Sequence, residues 1–317
     1  MRQFMPTLLV PLVGLVGLVG LAGVTGVSRE ASASPFEPGT IPDQVEAVGH
    51  LDADALRKTQ IFAAVGGQTA IDDALDNAPP EVRPLARTLA RSIRGVSFWK
   101  DGERGAVYLE TRDGPGLTQA IARLPIKPAR TVDGVATFTI RDDASSGPVQ
   151  HGKIHGHHGH LAVYGDTLVL AETSESLERS IHTLGGKTAS LSGSSKLPMS
   201  ARQGVFVFVT IGDDMLNQIQ KTAHAKLLQL ALRSLAVDVG ESTGMVTANA
   251  RAEMRSADAV QKAKSILDGL RALASLSDEP EARALIDAVT VTSRGLTLEV
   301  TATLPAAEVA KAIQHNH

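Results

Sequence analysis

Five of the chain's ten histidines fall within ten positions, in the stretch HGKIHGHHGH at 151–160. Neutral imidazole is a good ligand for Zn, Cu and Ni, and glycines between the rings let His151, His155, His157, His158 and His160 converge on one ion without backbone strain. Composition alone therefore marks the tract as a candidate for metal capture. Two features weigh against it. A catalytic zinc needs three fixed ligands, an open position and a supporting outer shell, and H-x-H-H-x-H lacks the acidic partner of H-E-x-x-H. The tract also follows the polar run Asp142 to Gly147, between a strand expected at 135–140 and another starting near Leu161. The spacing predicts a hairpin insertion, a polar loop with adventitious affinity for Zn or Cu; a loop that captures or senses metal is the alternative. Protonation near pH 6 would charge it.

Elsewhere the chain carries no recognisable catalytic motif. It has no G-x-S-x-G, no P-loop and no G-x-G-x-x-G behind a strand, and the serines of 190–195 read as linker. Asp52, Asp54, Asp213 and Asp214 stand where helices are expected to begin, and the helix dipole is reason enough for a carboxylate there. Without cysteine there is no thiol catalysis, Cys-ligated zinc or disulfide. The reading is non-enzymatic, with no catalytic residue and no cofactor assigned beyond Zn or Cu at the histidine loop. An enzyme with an unrecognised site ranks third.

One basic cluster stands out. The segment PLARTLARSIR at 84–94 is expected to form a helix with Arg87, Arg91 and Arg94 on one face, Arg83 just ahead of it, and Leu85, Ala86, Leu89, Ala90 and Ile93 on the other. A solvated face is the plain expectation; contact with lipid headgroups or an acidic partner is the sharper one. Trp99, which follows, is expected to cover the rim of an aliphatic core.

These residues need a scaffold, and the sequence repeats one. A strand, tight turn, second strand, polar cap and amphipathic helix recur at 96–124, 160–184, 235–267 and 289–313. Val246, Ala248, Ala250, Ala252 and Met254 alternate with polar residues, as do Leu296, Leu298, Val300 and Ala302, which is the pattern of a sheet with one aliphatic face. Turn residues are expected between the strands at Asp101-Gly102, Gly165-Asp166, Gly240-Glu241 with Gly244, and Arg294-Gly295. Helix-start residues follow at Asp113, Thr173 or Ser174, Ser256, and Thr303 ahead of Pro305. The third helix shows an apolar stripe of Val260, Ala263, Ile266 and Leu267. A longer copy encloses these units, because 45–65 and 205–220 each run from an apolar strand into an Asp-started helix. The expected fold is α+β, a tandem duplication of β-α-ββ-α-ββ-α halves with mainly antiparallel sheet and helices packed on one face. The first half spans 45–186, a linker 187–203, and the second half 204–317; 34–44 reads as an extended arm.

Residues 1–33 read as a signal peptide. An apolar run, Met5 to Val27, leads to Ala31-Ser32-Ala33, which has the form of a signal-peptidase site. This predicts an exported, periplasmic or secreted protein with no membrane-spanning segment after cleavage; anchoring by an uncleaved 5–27 is the alternative. A net charge of −3 and an aromatic content of 3 % give neither a general attraction to phosphate backbones nor many stacking platforms, so nucleic acid is not expected. The expected role is a binding or scaffold module whose partner is an unknown protein or envelope component. The polar sheet face, with Thr247, Asn249, Arg251, Thr290, Thr292, Thr297, Glu299 and Thr301, is the expected surface for docking a partner or for stacking of the two halves.

Overall fold

The computed structural model describes residues 36–64, 66–77, 83–124, 126–141, 158–193, 205–219, 231–275, 283 and 286–315. The leader and most of the histidine tract lie outside these residues. The chain is α+β, and all its registered strand pairings are antiparallel. It divides into two compact units, one made of residues 1–45 and 68–194, the other of 46–67 and 195–317.

In unit one, helices α3 (Gly67–Asn77) and α4 (Arg83–Ser92) precede the hairpin β2 (Ile93–Asp101) and β3 (Arg104–Thr111). Then come α5 (Gly114–Ala122), the hairpin β4 (Lys127–Val132) and β5 (Val135–Arg141), the hairpin β6 (His158–Tyr164) and β7 (Thr167–Ala171), and α6 (Ser174–Leu184). The strands order as β2-β3-β7-β6-β5-β4. Tyr108 and Leu109 are neighbours on opposite faces of β3 and each is 1 % exposed, so neither side of the sheet is wet there. Small aliphatic side chains fill most of this core, with Trp99 buried among them.

Unit two begins with β1 (Ala47–Asp52), α1 (Ala53–Arg57) and α2 (Gln60–Ala64), and resumes with β8 (Val205–Ile211) and α7 (Asp213–Ile219). The hairpin β9 (Leu232–Ser242) and β10 (Met245–Met254), α8 (Ala257–Ala274), the hairpin β11 (Val289–Arg294) and β12 (Thr297–Pro305), and α9 (Ala306–His315) complete it. Its strands order as β11-β12-β10-β9-β8-β1. In both units two hairpins meet through their second strands, β3 with β7 and β10 with β12; in unit one the hairpin β4–β5 lies between the two in sequence and extends the sheet beyond β6.

Local chemistry explains where these elements begin and turn. Asp52, Asp113, Thr173 and Ser256 each accept a hydrogen bond from the amide three residues on, which satisfies a donor that the first helical turn leaves free. The hairpin turns place Gly102, Gly165, Gly244 and Gly295 at positive φ, a region that disfavours a Cβ.

The structure departs from the sequence reading at four segments. Residues 46–67, expected in the first half, group with the second unit, because β1 pairs with β8 from Ala47 opposite Ile211 to Leu51 opposite Val207. Glu241 reinforces this by accepting from the free amides of Gln60 and Ile61 at 2.8 and 3.2 Å. The expected arm is not simply extended: Pro38–Thr40 form a 3-10 turn, Ile41 is fully buried, and Pro42 bridges Ser190. The start of the expected linker is docked there too, with Leu191 N–H donating to Ile41 O at 3.0 Å and Asp43 N–H to Ala189 O at 3.2 Å. Finally, the basic helix ends at Ser92, and Arg94 lies in β2.

Candidate functional site

Three surfaces bear on function. Of the histidine tract, His151, His155 and His157 lie outside the described residues, and His158 begins β6 opposite Arg141. His160 stands opposite Thr139 and lines a cleft with Arg130, Thr137, Ser174 and Leu177. Arg130 reaches Glu178 at 2.5 Å, and Glu175 is held below the usual carboxylate range first by its own backbone N–H and then by the Thr173 hydroxyl, with a smaller pull from His160. Among the described residues no three His, Asp or Glu side chains are grouped to hold a metal ion.

The polar sheet face of unit two is graded from dry to wet. Asp238, Asn249, Thr301 and Thr290 stand in register across β9, β10, β12 and β11. At the inner end Asn249 Nδ2 donates to Asp238 Oδ2 at 3.3 Å and Thr301 Oγ1 donates to Asn249 Oδ1 at 2.9 Å; Asp238 and Asn249 are buried. Their polar groups satisfy one another, so this end of the expected docking face is internal. Thr290, Thr292 and Arg251 are exposed, and the accessible part of the face narrows toward β11.

At that margin the fold leaves a strand unblunted. Among the described residues β11 pairs only with β12, and β4 only with β5. The β4 edge carries Lys127, Pro128 and Arg130, with a register break between Pro128 and Thr131, which are devices that discourage further pairing. β11 reads Val-Thr-Val-Thr-Ser-Arg, with no proline and one charge at its end. Helix α8 packs over β11 and β12 yet turns Ile266, Leu270 and Leu273 outward, at 64, 56 and 67 % exposure. Their spacing puts them along one ridge. Ile266, expected within the buried stripe, lies outside it, while Val260 keeps the inner position. The apolar arc of this helix is wider than the sheet beneath it.

The fold defines an α+β protein on antiparallel sheet in which, among the described residues, β11 has β12 as its single strand neighbour. No family model and no curated protein matches the chain. It is similar to the solved structure titled crystal form I of TP0453, at 9 % identity and a TM-score of 0.46 over 89 % of this chain and 98 % of that one. Crystal form IV of TP0453 matches at 11 % identity and a TM-score of 0.46, over 90 and 98 %. No helix among the described residues is long and apolar enough to cross a membrane.

Proposed function

We propose that the chain is an exported, non-enzymatic binding module of the cell envelope that takes up an extended segment of a partner protein along β11. The observation that supports this reading is the contrast between the two singly paired strands, one guarded by Pro128 and basic residues and the other bare. A strand added beside β11 would give its unused N–H and C=O groups partners. Alternate side chains of that strand would meet the Ile266, Leu270 and Leu273 ridge, and the intervening ones would extend the row of Thr290 and Thr292. The preferred partner segment is therefore extended, with apolar and polar residues alternating. The apolar leader ahead of Ala31-Ser32-Ala33 supports placing the module in the envelope.

Photo-crosslinking in cells tests this. A crosslinking residue at Thr292 should trap a partner protein, one at Lys127 on the guarded edge should not, and Val291→Pro in the Thr292 background should abolish the adduct. Equal adducts at both edges, or none at Thr292, would overturn the reading.

A further inference from the structure

We infer that the trough between α4 and α5 in unit one is a binding site for a phosphate group. It encloses about 430 Å³ and is lined by Arg83, Arg87 and Thr88 of α4 and by Gly116, Gln119 and Arg123 at α5. Helical spacing does the converging, since residues four apart share a face. Buried Ala86, Leu89 and Ala90 on α4, and Leu117 and Ile121 on α5, hold the other sides of the two helices in the core, and Ala120 forms part of the trough floor.

Three guanidinium groups thus gather in a chain whose net charge is negative. Among the described residues no carboxylate lines the trough. Asp76 lies beside it, with its carboxylate 4.0 Å from Arg87 and its carbonyl accepting from Arg83 at 3.1 Å. Asp76 is 79 % exposed, so solvent screens that attraction and the carboxylate can swing aside. Among the described residues the Arg123 guanidinium has no ion-pair or hydrogen-bond partner; its backbone N–H closes α5 on Ala120 O. Like charges held together raise the free energy of the empty site, and a multiply charged anion relieves it. The planar fork of arginine matches phosphate oxygens two at a time. Gln119 adds a neutral donor at the rim, while the Thr88 hydroxyl is committed to Pro84 O at 3.1 Å.

A free phosphate compound and a lipid headgroup present the same chemistry, and two assays on the full chain separate them. One titrates inorganic pyrophosphate calorimetrically. The other floats the protein on phosphatidylglycerol/phosphatidylcholine vesicles against phosphatidylcholine alone. Pyrophosphate binding identifies a free phosphate as sufficient; binding to the anionic vesicles alone identifies the headgroup. In whichever assay the wild type binds, Arg83→Gln/Arg87→Gln/Arg123→Gln should weaken it about tenfold or more, the equivalent of one lost charge-assisted contact at ~1.4 kcal/mol. Arg91→Gln, which removes the same charge from α4 outside the trough, should change it less than about twofold. Circular dichroism checks the fold of the triple variant, and Arg123→Gln alone, which removes no side-chain hydrogen bond or ion pair among the described residues, replaces it if that variant is unfolded. No binding in either assay, binding unchanged by the trough substitutions, or an equal loss in Arg91→Gln would overturn the inference.

Discussion

Arg179 holds its guanidinium 5.3 Å above the ring centroid of Trp99 while donating from Nη1 to Asp101 Oδ2 at 2.8 Å. Its second amino group, Nη2, donates to the backbone carbonyl of Asp43. One side chain of α6 therefore clamps the N-terminal segment, the β2–β3 turn and the buried indole together. The planar guanidinium can stack and fork at once, which an ammonium cannot. Arg179→Ala should lower unfolding free energy by about 1–3 kcal/mol, and Arg179→Lys should recover less than half of the loss. Urea unfolding of the three proteins checks this; full recovery by lysine would show that charge alone matters.

Beneath that clamp, Trp99 Nε1 donates to the Tyr108 hydroxyl at 3.0 Å. Burial pushes the Tyr108 phenol up to about 12, against smaller opposing effects of its bonds with Ser180 and Trp99. A folded pKa above the unfolded value means that the folded state holds the proton longer. Stability from this group is therefore complete below about pH 10 and falls as pH rises from there toward 12. The total is on the order of 2–3 kcal/mol. Tyr108→Phe should start less stable at neutral pH, because the indole N–H loses its acceptor, but should show a flatter alkaline limb. Parallel limbs in urea titrations between about pH 9 and 11 would contradict the assignment.

The start of α5 is fitted to the β6–β7 turn. Gly114 N–H donates to Asp166 Oδ1 at 3.1 Å, and a Cβ at Gly114 would stand 2.6 Å from the Gly165 carbonyl oxygen. The obstacle is backbone, so relaxation is costly. Gly114→Ala should destabilise by about 1–3 kcal/mol, although alanine favours helix elsewhere. Thermal unfolding measures it; an unchanged or raised midpoint would show that the turn yields.

The histidine tract should bind zinc weakly. His160 shares its cleft with the cationic Arg130, and the Glu175 carboxylate is already engaged at the α6 N-terminus. Calorimetric titration should give a dissociation constant no tighter than about 0.1 mM, changed by less than about tenfold when 151–157 is replaced by Gly and Ser. Micromolar binding that vanishes in the replacement would establish metal capture.

What was legible in the sequence is what is locally encoded. Turn glycines at 102, 165, 244 and 295 and caps at Asp113, Thr173 and Ser256 act within a few residues, and the alternation of β10 and β12 reports its own sheet faces. The allegiance of β1 was not legible, because its apolar run suits several neighbours and only pairing with β8, which sets His50 opposite Phe208 far along the chain, decides it. The prolines of the arm and the serines and glycines of the linker read as loose connections, and the burial of Ile41 beside Leu191 depends on two segments distant in the chain. The arginine of the trough that went unnoticed, Arg123, belongs to a different helix from Arg83 and Arg87, and only packing brings the faces together. The wet ridge on α8 had a visible period, but a period cannot say how much of an apolar arc the sheet will cover.

Amide hydrogen exchange on the purified complex of this chain with its crosslinked partner, compared with the free chain, probes β11 most directly. Strand addition predicts that alternate amides within Val289–Arg294 slow by about tenfold or more, while those of β4 at Lys127–Val132 keep their free rates. Unchanged exchange in β11, or equal protection of both edges, would contradict docking at this margin.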